Sequence, residues 1–148
     1  MAHSLAQQAT SHPLLAYNFR VDIAGQSLAF TEVSGLARER RTLSYRHGLS
    51  GREGEELVVF RHDVFAPLVF KRGVVPGGLS ALYDWQLAGD MRALQVALCG
   101  PDGAALLRWT AQRACLTKIE APSLLASGNE AAIETLTLMA CGIAVEPV

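Results

Sequence analysis

The side chains best suited to chemistry in this 148-residue chain are its four histidines, and their spacing argues against catalysis. His62 and Asp63 are adjacent, and adjacent residues on a strand point to opposite faces, so the aspartate cannot orient the histidine as a base. His47 and Ser50 share a glycine-rich loop, but no nucleophile motif such as G-x-S-x-G accompanies them. No metal-ligand spacing such as H-x-x-x-H connects the four histidines. We therefore predict a protein that is not an enzyme and binds neither metal nor cofactor.

Other ligand-binding patterns are also weak. Residues 47–56 are rich in glycine, but no Lys-Ser/Thr pair and no helix start follow them, so they are predicted to form a loop rather than a phosphate site. Trp85 and Trp109 are expected to anchor the core rather than to stack on a ligand. The three cysteines are an odd number without metal-like spacing, which is typical of free, buried thiols.

The composition points to partner proteins rather than to nucleic acid or lipid. Half of the residues are hydrophobic and 18% are charged, against a usual charged share of about 25%. This low charge indicates that partner subunits cover part of the surface. The formal net charge of −1 gives no overall basic field that would attract nucleic acid or anionic lipid.

The chain is expected to be one domain, over residues 13–148, preceded by a polar, flexible N-terminal arm over residues 1–12. The arm has no basic region followed by an apolar run, so no signal peptide is predicted. No apolar stretch approaches the ~20 residues of a membrane-spanning helix. We expect synthesis and folding in the cytoplasm.

The first strands have the clearest pattern. Apolar and polar residues alternate from Tyr17 to Ala24, as in a half-buried strand. Gly25-Gln26 is predicted to turn the chain into a second strand over residues 27–33, and the two would form a hairpin. Ser34-Gly35 is predicted to end that strand.

One short helix is predicted after the turn signals that follow Gly73. Ser80 is expected to cap it, with Asp84 in the first turn and the end near Gly89. Its expected face consists of Leu79, Leu82, Tyr83 and Gln86.

The other β-rich runs bring the total to about eight strands. Pro67, inside one of them, favours an edge position or a bulge. The last run, residues 130–140, has an imperfect alternation that favours a strand buried on both faces or one with a bulge. The expected core and fold anchors are Tyr17, Phe19, Val21, Trp85, Trp109, Ile133 and Leu136.

Seven short segments, in order, resemble the tail-tube proteins of contractile phages and of phage-derived extracellular contractile injection systems. They are L-x-Y-N-F-R-V-D-I from Leu15, F-T-E-V-S-G-L from Phe30, Y-R-x-G from Tyr45, L-x-F-K-R-G from Leu68, L-Y-D-W from Leu82, R-W at Arg108 and N-E-x-A-I-E-T-L from Asn129. Each segment alone is unspecific, but the ordered set covers nearly the whole chain. The chain departs from the pattern after Gly48, where a Glu-rich stretch replaces the usual leucine-proline-glycine segment.

The resemblance implies a β-barrel or sandwich with one flanking helix, related to the type VI secretion tube protein. It implies homohexameric rings that stack into a hollow tube, which sheath contraction drives through a target envelope. The implied partners are the sheath protein, the baseplate hub or spike and the tube terminator, with a toxin or DNA as cargo in the lumen. The implied location is a phage tail or tail-like particle that is released from the cell.

Charged residues near the glycine-rich loop are the predicted contact between subunits and rings. We expect arginines on one subunit to face glutamates on the next; the residues are Arg38, Arg40, Arg41, Arg46, Glu53, Glu55 and Glu56. Three alternatives remain open at this stage. They are a specialised ring at one end of the tube, a monomeric ligand-binding β-barrel, and a hydrolase that uses His47 and Ser50.

Overall fold

The computed structural model describes residues 14–46, 55–78 and 80–148. The predicted N-terminal arm and the predicted loop residues His47, Ser50 and Glu53 lie outside these ranges. The described elements are β1 (Phe19–Ile23), β2 (Gln26–Leu28), β3 (Glu32–Ser34), β4 (Arg40–Arg46), β5 (Glu55–Asp63), β6 (Ala66–Gly73), a 3-10 turn (Pro76–Gly78), α1 (Ser80–Ala88), β7 (Arg92–Cys99), β8 (Ala105–Glu120) and β9 (Ile133–Pro147). The mainly β class with one helix is confirmed.

Seven strands form one antiparallel sheet in the order β2-β1-β7-β8-β9-β6-β3, and β4 and β5 form a separate two-stranded sheet. β1 and β2 form the predicted hairpin, but the turn is Ala24-Gly25, where both residues have positive φ, 51° and 84°. Such a pair matches the right-handed twist of a two-residue hairpin. The predicted second strand over residues 27–33 is wrong in extent, because β2 pairs with β1 whereas β3 pairs with β6 at the opposite edge.

The large sheet is strongly curled because its two edge strands are joined by only three residues. The Cα atoms of Leu28 and Glu32 are four peptide units apart and so lie within about 15 Å of each other. The edges of a flat seven-stranded sheet would be about 29 Å apart. Within the link, Phe30 packs edge-on against Phe70 at 5.1 Å between ring centroids. The result is a barrel-like sheet whose edges β2 and β3 approach without pairing.

Close approach of two backbones fixes the chain at Gly35. Its φ of 89° lies in the left-handed region, and a Cβ atom there would lie 2.5 Å from the carbonyl oxygen of Pro67. The predicted break at Ser34-Gly35 is therefore confirmed. Pro67 itself lies on β6 just beyond the last residue pair with β3, Ser34 opposite Val69. The lack of an N–H at Pro67 therefore falls on the side where β6 has no partner strand.

The interior of the curled sheet is filled by side chains. The buried cluster consists of Val21, Ile23, Leu68, Phe70, Leu82, Trp85, Leu94, Val96, Ala111, Ala114, Leu116, Leu136, Leu138, Ala140 and Ile143. α1 adds Leu82 and Trp85, which are three residues apart and therefore on one helix face. Trp85 is 0% exposed, and its indole N–H donates to the backbone oxygen of Asp90 at 2.8 Å.

Two details of the predicted helix are wrong. Asp84 is the fifth residue of α1, so the first turn contains no acidic residue. Tyr83 is 40% exposed, because the face that packs inward runs through Leu82 and Trp85 instead. Leu79, also placed on the predicted face, lies outside the described residues. The predicted end is confirmed, since the Gly89 N–H bonds to the Trp85 oxygen at 2.9 Å.

β9 is longer than the predicted run over residues 130–140, and β8 and β9 change their buried face together. Along β9 the even-numbered residues from 134 to 140 are buried, namely Glu134, Leu136, Leu138 and Ala140. Beyond them the buried residue is Ile143, which has an odd number and so belongs to the other face of the strand. Gly142, with φ 68°, separates the two parts and packs against Gln112 of β8. A register shift between Leu116 and Lys118 adds a bulge in β8. The imperfect alternation of the sequence thus comes from this change of face, and Ile133 is only partly buried.

Candidate assembly surfaces

The described residues contain no cluster of metal-binding side chains. Within residues 14–46, 55–78 and 80–148, no group of three His, Cys, Asp or Glu side chains could hold a metal ion. The pKa of the Asp90 carboxyl is lowered, chiefly by the hydrogen bond that Arg92 donates at 2.9 Å. Arg92 also stacks on the Trp85 ring at 5.1 Å, so this pair secures the end of α1 at the surface. In the described part of the chain, no helix has the length and apolar character of a membrane span.

One polar contact inside the large sheet is a buried ion pair that sequence reasoning missed. Arg72 on β6 lies directly opposite Glu134 on β9, and the Arg72 Nε–H donates to the carboxylate. Their side chains are 9% and 2% exposed. Two of the seven segments, L-x-F-K-R-G and N-E-x-A-I-E-T-L, therefore lie on neighbouring strands. The charges of Arg72 and Glu134, one from each segment, neutralise each other. The available signal in the sequence was that both charged residues occupy positions of the strand alternation whose other members are apolar and buried.

The β4–β5 hairpin stands apart from the large sheet and leaves apolar side chains exposed. Its strands hydrogen-bond to each other, and the Val64 N–H bonds to the Glu39 oxygen at 3.3 Å near its base. The register places Leu43 opposite Val58. Alternation puts four large apolar residues, all 39–55% exposed, on this same face; they are Leu43, Tyr45, Val58 and Phe60. We call these four side chains the hairpin face.

The predicted interface residues lie on or next to this hairpin. Arg38, Arg40 and Arg41 are exposed, and the Arg41 guanidinium stacks on the Phe60 ring at 5.7 Å. In the backbone register, Arg46 is the Cα partner of Glu55 and Tyr45 is the partner of Glu56. The hairpin therefore brings one predicted arginine and one predicted glutamate to opposite positions within a single chain. The contact between subunits remains a prediction.

A long loop at residues 121–132 forms a second exposed apolar surface. The side chains of Leu124 and Leu125 are 89% and 72% exposed. The Gly128 N–H bonds to the Leu125 oxygen at 2.9 Å, so the pair is presented by a closed turn. The loop ends beside the large sheet, where the Val74 N–H bonds to the Ala132 oxygen at 2.9 Å. We call Leu124 and Leu125 the leucine pair.

The predicted anchors are distributed unevenly. Val21, Trp85 and Leu136 are at most 1% exposed, whereas Phe19, Trp109 and Ile133 are partly buried. Phe19 and Trp109 line an open groove of about 270 Å³ beside β3. Tyr17 is wrong as a core anchor, because it lies in a turn before β1 and is 73% exposed.

Comparison with known proteins gives a consistent result. No curated protein matches the chain. A solved structure of a PVC sheath-tube complex in the extended state, from an extracellular contractile injection system, is 25% identical with a TM-score of 0.86, covering 99% of this chain and 100% of that one. The tube-terminating cap of the anti-feeding prophage is 26% identical with a TM-score of 0.80, covering 93% of each chain.

More distant matches share the fold. Hcp1 from Flavobacterium johnsoniae is 16% identical with a TM-score of 0.55, covering 87% of this chain and 94% of that one. The model of the family described as T4-like virus tail tube protein gp19 matches residues 15–144, which is most of the chain. The chain therefore belongs to the T4-like tail tube protein family, and the resemblance of its seven segments is confirmed.

Proposed function

We propose that this chain is the building block of the inner tube of a contractile injection system or phage tail. Copies close side by side into hexameric rings, and the rings stack into a hollow conduit. The observation that carries the proposal is the fit to the PVC sheath-tube structure, at a TM-score of 0.86 over essentially all of both chains. A catalytic reaction has no place in this role.

Physical chemistry supports assembly independently of the family. β2 and β3 are sheet edges, and an unpaired edge is a template for another chain. A two-stranded hairpin is marginal alone in water, yet β4 and β5 expose large apolar residues. Contacts between copies would cover such surfaces, and obligate interfaces resemble a core cut in half.

The proposed partners follow the same comparisons. Solved structures that match this chain include a sheath-tube complex, a sheath/tube terminator and a baseplate of tail-like particles. We expect sheath protein to surround the tube, a baseplate hub or spike to begin it and a terminator to end it. Sheath contraction would then drive the tube, with a toxin or DNA as its cargo, through the target envelope. The assembled particle would act outside the cell that made it.

The predicted pairing of arginines with glutamates is part of this proposal. Reversing Glu53, Glu55 and Glu56 to lysine is expected to block ring stacking while the monomer stays folded. Exposed ion pairs contribute about 1 kcal/mol or less each, so the pairs would set the register of rings rather than supply the affinity.

A ring at one end of the tube is the second candidate. The match to the tube-terminating cap of the anti-feeding prophage, with a TM-score of 0.80, favours keeping it. Gold labels on a tagged subunit would distinguish the two roles in intact particles. Labels along the whole length support the main tube, and labels confined to one end support the end ring.

Electron microscopy of the purified protein tests the main proposal. Negative-stain images of concentrated protein are expected to show hexameric rings and stacked tubes. Folded protein that stays monomeric in every buffer, and also beside its baseplate partner, contradicts the proposal and favours a monomeric ligand-binding barrel.

A further inference from the structure

The leucine pair and the hairpin face lie at opposite ends of the molecule along β6. The hairpin leaves the large sheet next to Ala66, where Val64 bonds to Glu39. The loop rejoins the sheet next to Gly73, whose partner on β9 is Ile133. The eight residues of β6 span about 23 Å. The two apolar surfaces therefore give the molecule a head and a tail.

The surfaces near these two ends carry different charges. In and beside the loop, residues 118–133 contain one basic residue, Lys118, and two acidic residues, Glu120 and Glu130, and all three are exposed. Glu120 approaches Lys118 on β8 only at 3.9 Å. Residues 38–41, at the base of the hairpin, carry three exposed arginines and one glutamate. Residues 118–133 thus carry a formal charge of −1, and residues 38–41 carry +2.

A third apolar surface, the groove at Phe19 and Trp109, is an alternative docking site for the leucine pair. Its rim includes Glu32, which is paired at 3.4 Å with the partly exposed Lys71. Glu32 and Lys71 neutralise each other, so the groove offers no net positive charge to Glu120 and Glu130, whereas the base of the hairpin offers three exposed arginines. Charge complementarity therefore favours the hairpin face.

We propose that the leucine pair of one copy docks on the hairpin face of a second copy, with Glu120 and Glu130 directed toward Arg38, Arg40 and Arg41. These arginines would then serve both this contact and the predicted pairing with Glu53, Glu55 and Glu56. This contact rests on the proposed function and specifies which surfaces join two copies. The leucine side chains cover the exposed Leu43, Val58 and Phe60, and Arg41 extends the face through its stacking on Phe60.

The contact is heterologous, because the two surfaces differ and lie far apart on one molecule. Each copy keeps a free loop at one end and a free hairpin at the other, so the contact repeats from copy to copy. An isologous contact would instead stop at a dimer.

Cysteine crosslinking tests the contact directly. In a Cys115→Ser, Cys141→Ser background, Leu124→Cys is combined with Val58→Cys, and assembled protein is treated with a bismaleimide. A ladder of oligomers on a denaturing gel is expected. The matched control combines Val58→Cys with Leu87→Cys, since Leu87 on α1 is 81% exposed but lies outside the proposed contact. Each single cysteine variant gives the background.

The outcomes separate this inference from the proposed function. If the parent protein forms no rings or tubes, the proposed function fails. If tubes form but the Leu124–Val58 pair gives no ladder above background, or stops at dimers, the docking contact is overturned.

A second measurement, the protein concentration needed for assembly, tests the contact without any crosslinking. Leu124→Asp with Leu125→Asp is expected to raise the concentration needed for assembly by more than about tenfold while circular dichroism stays unchanged. The same double change at exposed Leu87 and Leu106 is the control. Assembly of the Leu124, Leu125 variant at the parent concentration overturns the inference.

Discussion

At the scale of single residues, Gly35 is a position where two structural features leave the sequence little freedom. Its φ is 89°, and a Cβ atom at this position would lie 2.5 Å from the Pro67 oxygen, so both features require glycine. Gly25 provides a matched control, because its φ is 84° but no atom lies within 4 Å of its Cβ position. The two sites therefore separate backbone strain from backbone collision.

We predict that Gly35→Ala lowers the free energy of unfolding more than Gly25→Ala does. The left-handed conformation costs alanine about 1–2 kcal/mol at either site, and overpacking against Pro67 adds about 1–3 kcal/mol at Gly35. Urea unfolding of dilute, unassembled protein measures both. Equal losses at the two sites would show that the Gly35 loop can move away from β6.

The buried pair of Arg72 and Glu134 is the second residue-scale feature. Removing one partner of a buried ion pair leaves an uncompensated charge and typically costs about 3–5 kcal/mol. We therefore predict a loss of that size in unfolding free energy for Arg72→Met, which leaves the Glu134 carboxylate buried, and partial recovery when Glu134→Leu is added. A double-mutant cycle measured by urea unfolding gives the coupling.

The exposed pair of Lys71 and Glu32 is the control for that cycle. Its side chains are 42% and 54% exposed at 3.4 Å, so Glu32→Gln should cost about 1 kcal/mol or less. A loss for Arg72→Met no larger than the loss for Glu32→Gln would mean that water reaches Glu134 once Arg72 is removed.

At the scale of elements, the hairpin of β4 and β5 is expected to be the least stable ordered part of the isolated subunit. Its strands pair only with each other, whereas β8 and β9 each have neighbours on both sides. Local opening needs little free energy where few apolar contacts are lost. We predict fast amide exchange in β4 and β5 of the monomer, slow exchange in β8 and β9, and protection of the hairpin after assembly.

Hydrogen-exchange mass spectrometry at concentrations below and above assembly measures this difference. The amides of β7 are the control, since that strand is paired on both sides and should exchange slowly in both states. A hairpin that is equally protected in the monomer would mean that assembly is not what stabilises it.

The elements also show which parts of the fold local sequence can determine. The β1–β2 hairpin and the end of α1 follow from local alternation and glycine positions, and both are present. The division of residues 27–33 into β2 and β3 was not predictable. That stretch has the pattern of one strand, and only closure of the curled sheet separates it.

The candidate surfaces were predicted less completely than the fold. Arg38, Arg40 and Arg41 stood out as a cluster of charge in a chain with few charges, and they are exposed. The leucine pair gave no signal, because two adjacent leucines in a loop look like ordinary core residues. Its exposure depends on the turn at Gly128, which no periodicity describes.

At the scale of the whole molecule, apolar area rather than charge should hold the assembly together. The described residues leave many large apolar side chains exposed, including Leu43 at 55%, Leu57 at 65% and Leu124 at 89%. Burying each such side chain contributes about 1.5–3 kcal/mol, whereas each exposed ion pair contributes about 1 kcal/mol or less. The two contributions respond differently to solvent.

We therefore predict that assembled protein survives about 1 M NaCl, where the Debye length falls to about 3 Å, and loosens on cooling, because apolar association weakens in the cold. Sedimentation at several salt concentrations and temperatures measures the assembled fraction. Ammonium sulfate is the control, since excluded salts strengthen apolar burial and should increase that fraction. Dissociation by NaCl without any effect of temperature would instead assign the affinity to the arginine–glutamate pairs, and the charged residues would then hold the tube together as well as set its register.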